Sequence, residues 1–266
     1  MKKFLLAYSW LILLFLYVPM MVLMVYSFND SRINAEWGGF TLHWYTDLFQ
    51  KEAVIDALLN SLTIALITTF VTTLLGVCFS LALHRYKYRF EGAINGLVYL
   101  PILIPDILMG LSLLILFSQF GIELGQTTII IAHITFSVSF VVVILSARLS
   151  GMGRDLEEAA NDLGATPWQT FRYVTLPGLA PGIISAALLT FTLSIDDFVI
   201  SFFVSGPGST TLPLYIYGMV KRGITPEINA LSTILIVTIV GLMILSEIFR
   251  NKGRDGEDNS GGHLPL

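Results

Sequence analysis

Six long apolar runs decide what this chain can become: Phe4–Phe28, Leu58–Leu83, Ala93–Ser118, Thr127–Ala147, Gly182–Ser205 and Asn229–Phe249. Each matches the roughly 20 residues that a helix needs to cross a hydrocarbon core. The fold expected is therefore an all-α integral membrane protein with six transmembrane helices. Composition agrees: 55% of residues are hydrophobic and 13% charged, where a soluble domain has about a quarter charged. No soluble core hides that much apolar surface, so the solvent is lipid. The first run follows Met1-Lys2-Lys3, as a signal peptide would. It is too long for one, and no Ala-x-Ala-like site follows, so it reads as a retained span.

The basic residues give an orientation. With the N-terminus inside, one side holds Lys2, Lys3, Arg85, Lys87, Arg89, Arg148, Arg154, Arg172, Arg250, Lys252 and Arg254; the other holds Arg32, Lys51, Lys221 and Arg222. Eleven against four places both termini in the cytoplasm by the positive-inside rule. The outer loop Asn29–Ala57 contains a short helix at Thr41–Phe49, with Trp44 among its interface aromatics. Gly206–Glu227 carries an amphipathic piece at Leu212–Val220, and Thr225-Pro226 caps the last span. Residues 1–57 thus form a first span and outer loop, 58–249 a core of five helices, and 250–266 a disordered, polar tail. The lone Cys78 excludes an internal disulfide or a multi-cysteine metal site. There is no phosphate-binding Gly-x-x-x-x-Gly-Lys-[Ser/Thr] loop, so any ATP is bound by another subunit.

One polar insertion stands out between the fourth and fifth runs, Arg154–Pro177. Asp155 and Glu158 make a capping-box-like start, and Gly164 ends that helix. Thr166-Pro167-x-Gln169 then supplies an N-cap, an N1 proline and an N3 glutamine for a second helix. Leu156, Ala159, Ala160 and Leu163 share one apolar face. Trp168, Phe171 and Val174 follow at a spacing of three.

Glu158-Ala159-Ala160-x-x-x-Gly164, with Val174-x-Leu176-Pro177 further on, resembles the coupling loop of membrane subunits of binding-protein-dependent ABC importers. Only Val174, isoleucine in the family pattern, departs from it. The resemblance implies a cytoplasmic helix–turn–helix that docks into a groove on an ATPase subunit. Glu158, Ala159, Ala160, Gly164, Trp168, Phe171, Leu176 and Pro177 are its expected contact residues. It also implies a bacterial inner-membrane location, a second permease subunit, two ATPases that hold ATP and Mg, and an extracytoplasmic binding protein. Neither a cofactor on this chain nor a nucleic-acid partner is expected.

Carboxylates inside spans are costly and mark candidate functional sites. Asp106, Asp196 and Asp197 fall near the middle of the third and fifth runs, about 14–21 Å from either end at 1.5 Å per residue. Neither run holds a basic residue, so a cationic solute would complete the site. Pro101 and Pro105 interrupt the helix ahead of Asp106, and broken helices at midplane are where transporters place binding sites. Phe198, Phe202 and Phe203 offer cation–π contact. In the bland reading the aspartates bond Ser112, Ser194 or Ser201 and fix packing. Asp196 and Asp197 are about 100° apart on a helix, so one lines the path and the other braces it; the sequence leaves open which. His133 is expected to bond a neighbouring helix.

Phe191–Val199, Phe203–Gly208 and Pro226–Ala230 are similar to the spermidine/putrescine importers, and to the second of their paired permeases. That resemblance implies a polyamine path along Asp106, Asp196, Asp197, Ser194, Phe198 and Trp44. A permease for another cationic or neutral solute shares the same coupling loop. A membrane-embedded aspartyl protease needs a Gly-x-Gly-Asp signature that is absent, and an ion-coupled carrier commonly shows inverted repeats that are not seen here.

Overall fold

The computed structural model describes residues 2–31, 36–86, 89–153, 155–223 and 225–241. Among them there is no β-strand, only an isolated antiparallel bridge between Asn29 and Phe40. Chain contacts separate two units, one built from the residues up to Glu52 together with those from Ile216 onward, the other from Ala53–Tyr215.

The first unit opens with α1 (Lys2–Tyr26), which has no buried residue. A bare apolar helix of 25 residues has no place in water, so its partners are lipid or another protein. A short helix, α2 (His43–Leu48), follows, inside the expected Thr41–Phe49. It is fastened by Asn29, whose Oδ1 accepts the Gly38 N–H at 2.7 Å and whose carbonyl accepts the Trp44 indole N–H at 2.7 Å. Trp44 is only 6% exposed, so its ring packs the loop and its one donor is used there. Lys51 reaches Glu227 at 2.6 Å, tying the chain after α2 to α12 (Pro226–Gly241).

The second unit is the core: α3 (Glu52–Arg85), α4 (Glu91–Leu103), α5 (Asp106–Gln119), α6 (Gln126–Gly151), α7 (Asp155–Asp162), α8 (Pro167–Thr170), a π-helical turn Phe171–Thr175, α9 (Leu176–Ile195) and α10 (Val199–Val204). The next helix, α11 (Leu212–Arg222), begins here, with the Leu212 N–H donated to Ser61 Oγ at 2.8 Å. Small residues let the long helices approach closely, as they do in lipid. Ala65, Ala132 and Ala186 are fully buried, and a Cβ on Gly76 would sit 2.3 Å from Val141 Cγ1. Ile64, Ile129, Phe117 and Ile200 close one core cluster.

Two expected spans are corrected. The third run is not one helix: α4 and α5 meet at 106°. Pro105 has no N–H to give and its ring disfavours helical backbone at the residue before it. Ile104 is accordingly extended, at φ −77° and ψ 131°. The fifth run starts earlier and stops sooner than expected, as a 29-residue helix from Pro167 to Ile195, with α10 beyond a break at Asp196–Phe198. Four described helices are long and apolar enough to cross a membrane, or five if the bent pair counts as one span. The end of the sixth expected span with Glu247, the tail from Arg250, and Arg154 lie outside the described residues.

Candidate functional site

The two helix breaks are where the acidic residues sit. Asp106 stands exposed in the first turn of α5. The unpaired N–H groups of a helix N-terminus favour a negative charge at that position. Gly110, one turn on, lets α10 come close: a Cβ there would lie 2.8 Å from the Phe203 ring and 3.3 Å from Ile200 Cα. The short helices that follow each break therefore pack side by side.

Asp196 and Asp197 have different surroundings. Asp197 Oδ2 accepts the Ser201 N–H at 2.8 Å and Oδ1 the Ile200 N–H at 3.3 Å, which caps α10. His133 Nε2 lies 3.2 Å from the same carboxylate and 3.1 Å from Ser201 Oγ, while its Nδ1 meets Ser194 Oγ at 2.8 Å. His133 is fully buried and Ser194 nearly so. The three acids are thus not equally unneutralised, as the sequence had suggested. Asp197 is satisfied from behind by an imidazole and two amides, whereas Asp196 is exposed and caps the end of α9. Ser194 serves His133. Of the aromatics, Phe198 stacks obliquely on Phe202 at 5.7 Å, and Phe202 is about half exposed.

The polar insertion forms a second candidate site. Gly164, at φ +83°, ends α7 in a Schellman turn: Ala165 N–H reaches the Ala160 carbonyl at 3.0 Å and Gly164 N–H that of Asn161 at 2.9 Å. Only glycine adopts that backbone cheaply. Thr166 and Gln169 exchange their expected capping bonds, with the Thr166 N–H at 2.8 Å from Gln169 Oε1. At the front of α7, Asp155 and Glu158 both lie in the first turn, where a carboxylate complements the positive end of the dipole. The second helix is also no separate element, because α8 runs through the π-turn into α9. Pro177 would collide with the Tyr173 carbonyl in a regular α-helix. The wider turn bonds Leu176 N–H back to the Phe171 carbonyl instead.

The apolar side chains of this loop face outward. Leu156 and Trp168 are each 68% exposed and Leu163 is 90% exposed, with the Trp168 and Phe171 rings 5.5 Å apart. These three side chains do not pack on the chain's own spans. The internal tie is made by Glu157, which the sequence did not single out. Its Oε1 accepts from Arg85 Nη2 at 2.8 Å and from the Thr175 hydroxyl. Burial alone would raise its pKa, but the Thr175 and Arg85 hydrogen bonds and the Arg85 charge outweigh it and hold the carboxyl below the usual value.

Comparisons place this architecture. Residues 73–251 match the family described as binding-protein-dependent transport system inner membrane component. The chain is 40% identical over 246 residues to the spermidine/putrescine transport system permease protein PotC of Haemophilus influenzae, covering 92% of this chain and 96% of that one. It is 44% identical over 240 residues to the putrescine transport system permease protein PotI of Escherichia coli, covering 86% and 85%. Among solved structures it is similar to a bacterial ABC transporter involved in import of the acidic polysaccharide alginate, at a TM-score of 0.71 and 20% identity, covering 96% of this chain and 94% of that one. An amino acid ABC transporter crystallised with histidines aligns at a TM-score of 0.59 and 19% identity, over 78% and 95%. The chain belongs to the binding-protein-dependent transport system inner membrane component family: it is a multi-pass membrane transport subunit and not an enzyme.

Proposed function

We propose that this chain is one permease subunit of an ATP-driven polyamine importer, taking up spermidine, putrescine or both. The observation that carries the substrate class is Asp196, an exposed carboxylate at a helix break in an apolar span, with no cation beside it among the described residues. Such a charge is stabilised by an ammonium group passing through. The identity to permeases named for spermidine and putrescine supports the same class. In this reading six spans cross the membrane with both termini cytoplasmic. Residues 58–249 form the transport core, and Asp196, Asp106 and the Phe198–Phe202 pair face the solute. Asp197, His133 and Ser194 hold the break in shape, and Trp44 packs the outer loop.

The chain forms half of the path, with a second permease as the other half and a binding protein delivering solute to the outer loops. Two ATPase subunits bind ATP and Mg and hydrolyse it. They seat the exposed face of residues 155–177, where Glu158, Ala159, Ala160, Gly164, Trp168, Phe171, Leu176 and Pro177 present the docking surface. ATP-driven closure of the ATPases moves that loop, and the loop moves the spans.

The test is ATP hydrolysis by the complete complex in proteoliposomes with its binding protein, with and without spermidine or putrescine. Stimulation by a polyamine at low concentration is expected. Hydrolysis that ignores every polyamine would sink the substrate class and keep the coupling role.

A further inference from the structure

Helix α7 has no buried residue, so it needs polar ties to be more than a flap. Asn161 Oδ1 takes one, from the Thr170 hydroxyl at 3.1 Å, but Thr170 is part of the same loop. Glu157 makes the others. Arg85 is the last residue of the 34-residue α3, where a cation suits the helix's negative end. Its Nη2 contacts Glu157 Oε1 at 2.8 Å and Thr175 Oγ1 at 3.3 Å. Thr175 is fully buried and closes the π-turn that leads into α9. The end of α3 and two parts of the loop, α7 and the π-turn, therefore meet around one carboxylate oxygen, with Arg85 72 positions from Glu157. The ion pair is sheltered, with Arg85 35% and Glu157 27% exposed at the side chain.

We infer that Arg85, Glu157 and Thr175 form a clasp through which the loop moves α3 and α9 together, making Arg85 and Glu157 positioning residues for coupling. This rests on the importer reading above. A push on α7 reaches α9 through the chain itself, but nothing covalent carries it to α3 without a detour through three further helices. The charge-assisted contact supplies that second connection. It is directional and short, and interactions to ionised groups are the stronger kind. Without it, α7 and α9 still move on ATP binding, but α3 follows only through its apolar packing, of Val77 against Val141 and Ala186, and no longer through a direct tie to the loop.

The experiment compares complete complexes reconstituted with the spermidine-loaded binding protein. Glu157→Gln is expected to keep its ATPases through purification and to keep basal hydrolysis. The ratio of stimulated to basal rate should fall by roughly fivefold or more, the lower range of ordinary allosteric coupling. The charge exchange Arg85→Glu with Glu157→Arg should recover much of that ratio. Thr175→Val leaves the ion pair intact and should lower the ratio by a smaller factor, giving a second reading if the Glu157→Gln permease does not fold. Wild-type stimulation in Glu157→Gln, loss of the ATPases from it, or no recovery on charge exchange would overturn the clasp alone. A wild-type complex that no loaded binding protein stimulates would overturn the importer reading and the clasp with it.

Discussion

Replacing each of the adjacent acids by alanine separates bracing from solute contact. Asp197→Ala removes the acceptor of the Ser201 and Ile200 N–H groups at 2.8 and 3.3 Å; loss of a helix cap costs about 0.5–2 kcal/mol. It also takes the carboxylate from His133, which is fully buried, and an abandoned buried partner costs about 1–3 kcal/mol. Ser201 Oγ at 3.1 Å keeps the imidazole from being wholly orphaned, so the sum is about 2–4 kcal/mol. For a chain of this size that corresponds to a melting point lower by about 5–15 °C. Asp197→Asn keeps one oxygen over the α10 amides and is expected to be milder. Asp196→Ala disturbs no side-chain partner, and its melting point should equal wild type while polyamine stimulation of ATP hydrolysis is lost. Both quantities are measured on the complete complex in nanodiscs, by a thermal shift and by phosphate release. An Asp196→Ala variant as unstable as Asp197→Ala, or an Asp197→Ala variant melting like wild type, would refute the division of roles.

Two further outcomes follow from the geometry. Trp168→Ala should leave the permease's own melting point unchanged, since the ring is mostly exposed. It should weaken ATPase binding by about 30-fold, an anchor of roughly 2 kcal/mol; unchanged affinity in a titration would put the docking face elsewhere. Gly206→Ala would set a Cβ 1.8 Å from the Leu124 carbonyl oxygen and 2.3 Å from its carbon. Backbone does not give way as a side chain does, so a loss of about 1–3 kcal/mol or more is expected. It reads as less assembled complex on a gel-filtration trace, and a wild-type yield would count against it.

The sequence carried the membrane architecture because apolar run length is a one-dimensional property. It also carried the loop's turn chemistry, since Gly164 and Thr166-Pro167-x-Gln169 act within a few residues of themselves. Pro101 and Pro105 announced a disturbance before Asp106, but a missing N–H says only that the ladder fails there, not that the chain turns by 106°. Partners across helices were out of reach. Nothing local tells that His133 on α6 comes beneath Asp197, or that Arg85 meets Glu157 72 positions away. A sharper signal did exist for the first: a buried imidazole in lipid must find partners, and Ser194, Asp197 and Ser201 fall on successive turns of the one span rich enough to supply them. Glu157 had no such signal, because beside Glu158 it looks like one more solvated acid at a helix start.

The π-turn at Phe171–Thr175 has a consequence for how such subunits diversify. A π-turn holds one more residue than the α-helical turn it replaces, and each residue is worth about 100° around a helix axis. The direction in which Trp168 points is therefore set by that one residue, independently of the faces that α9 turns toward α6. Deleting a single position between 171 and 175 would swing the aromatic ridge by more than a quarter turn and leave Leu179, Gly182 and Ala186 in their packing. If the loop docks as proposed, a lineage obliged to meet a reshaped partner groove has here an adjustable joint, one that re-aims the loop end of a span while the rest of α9 keeps its register.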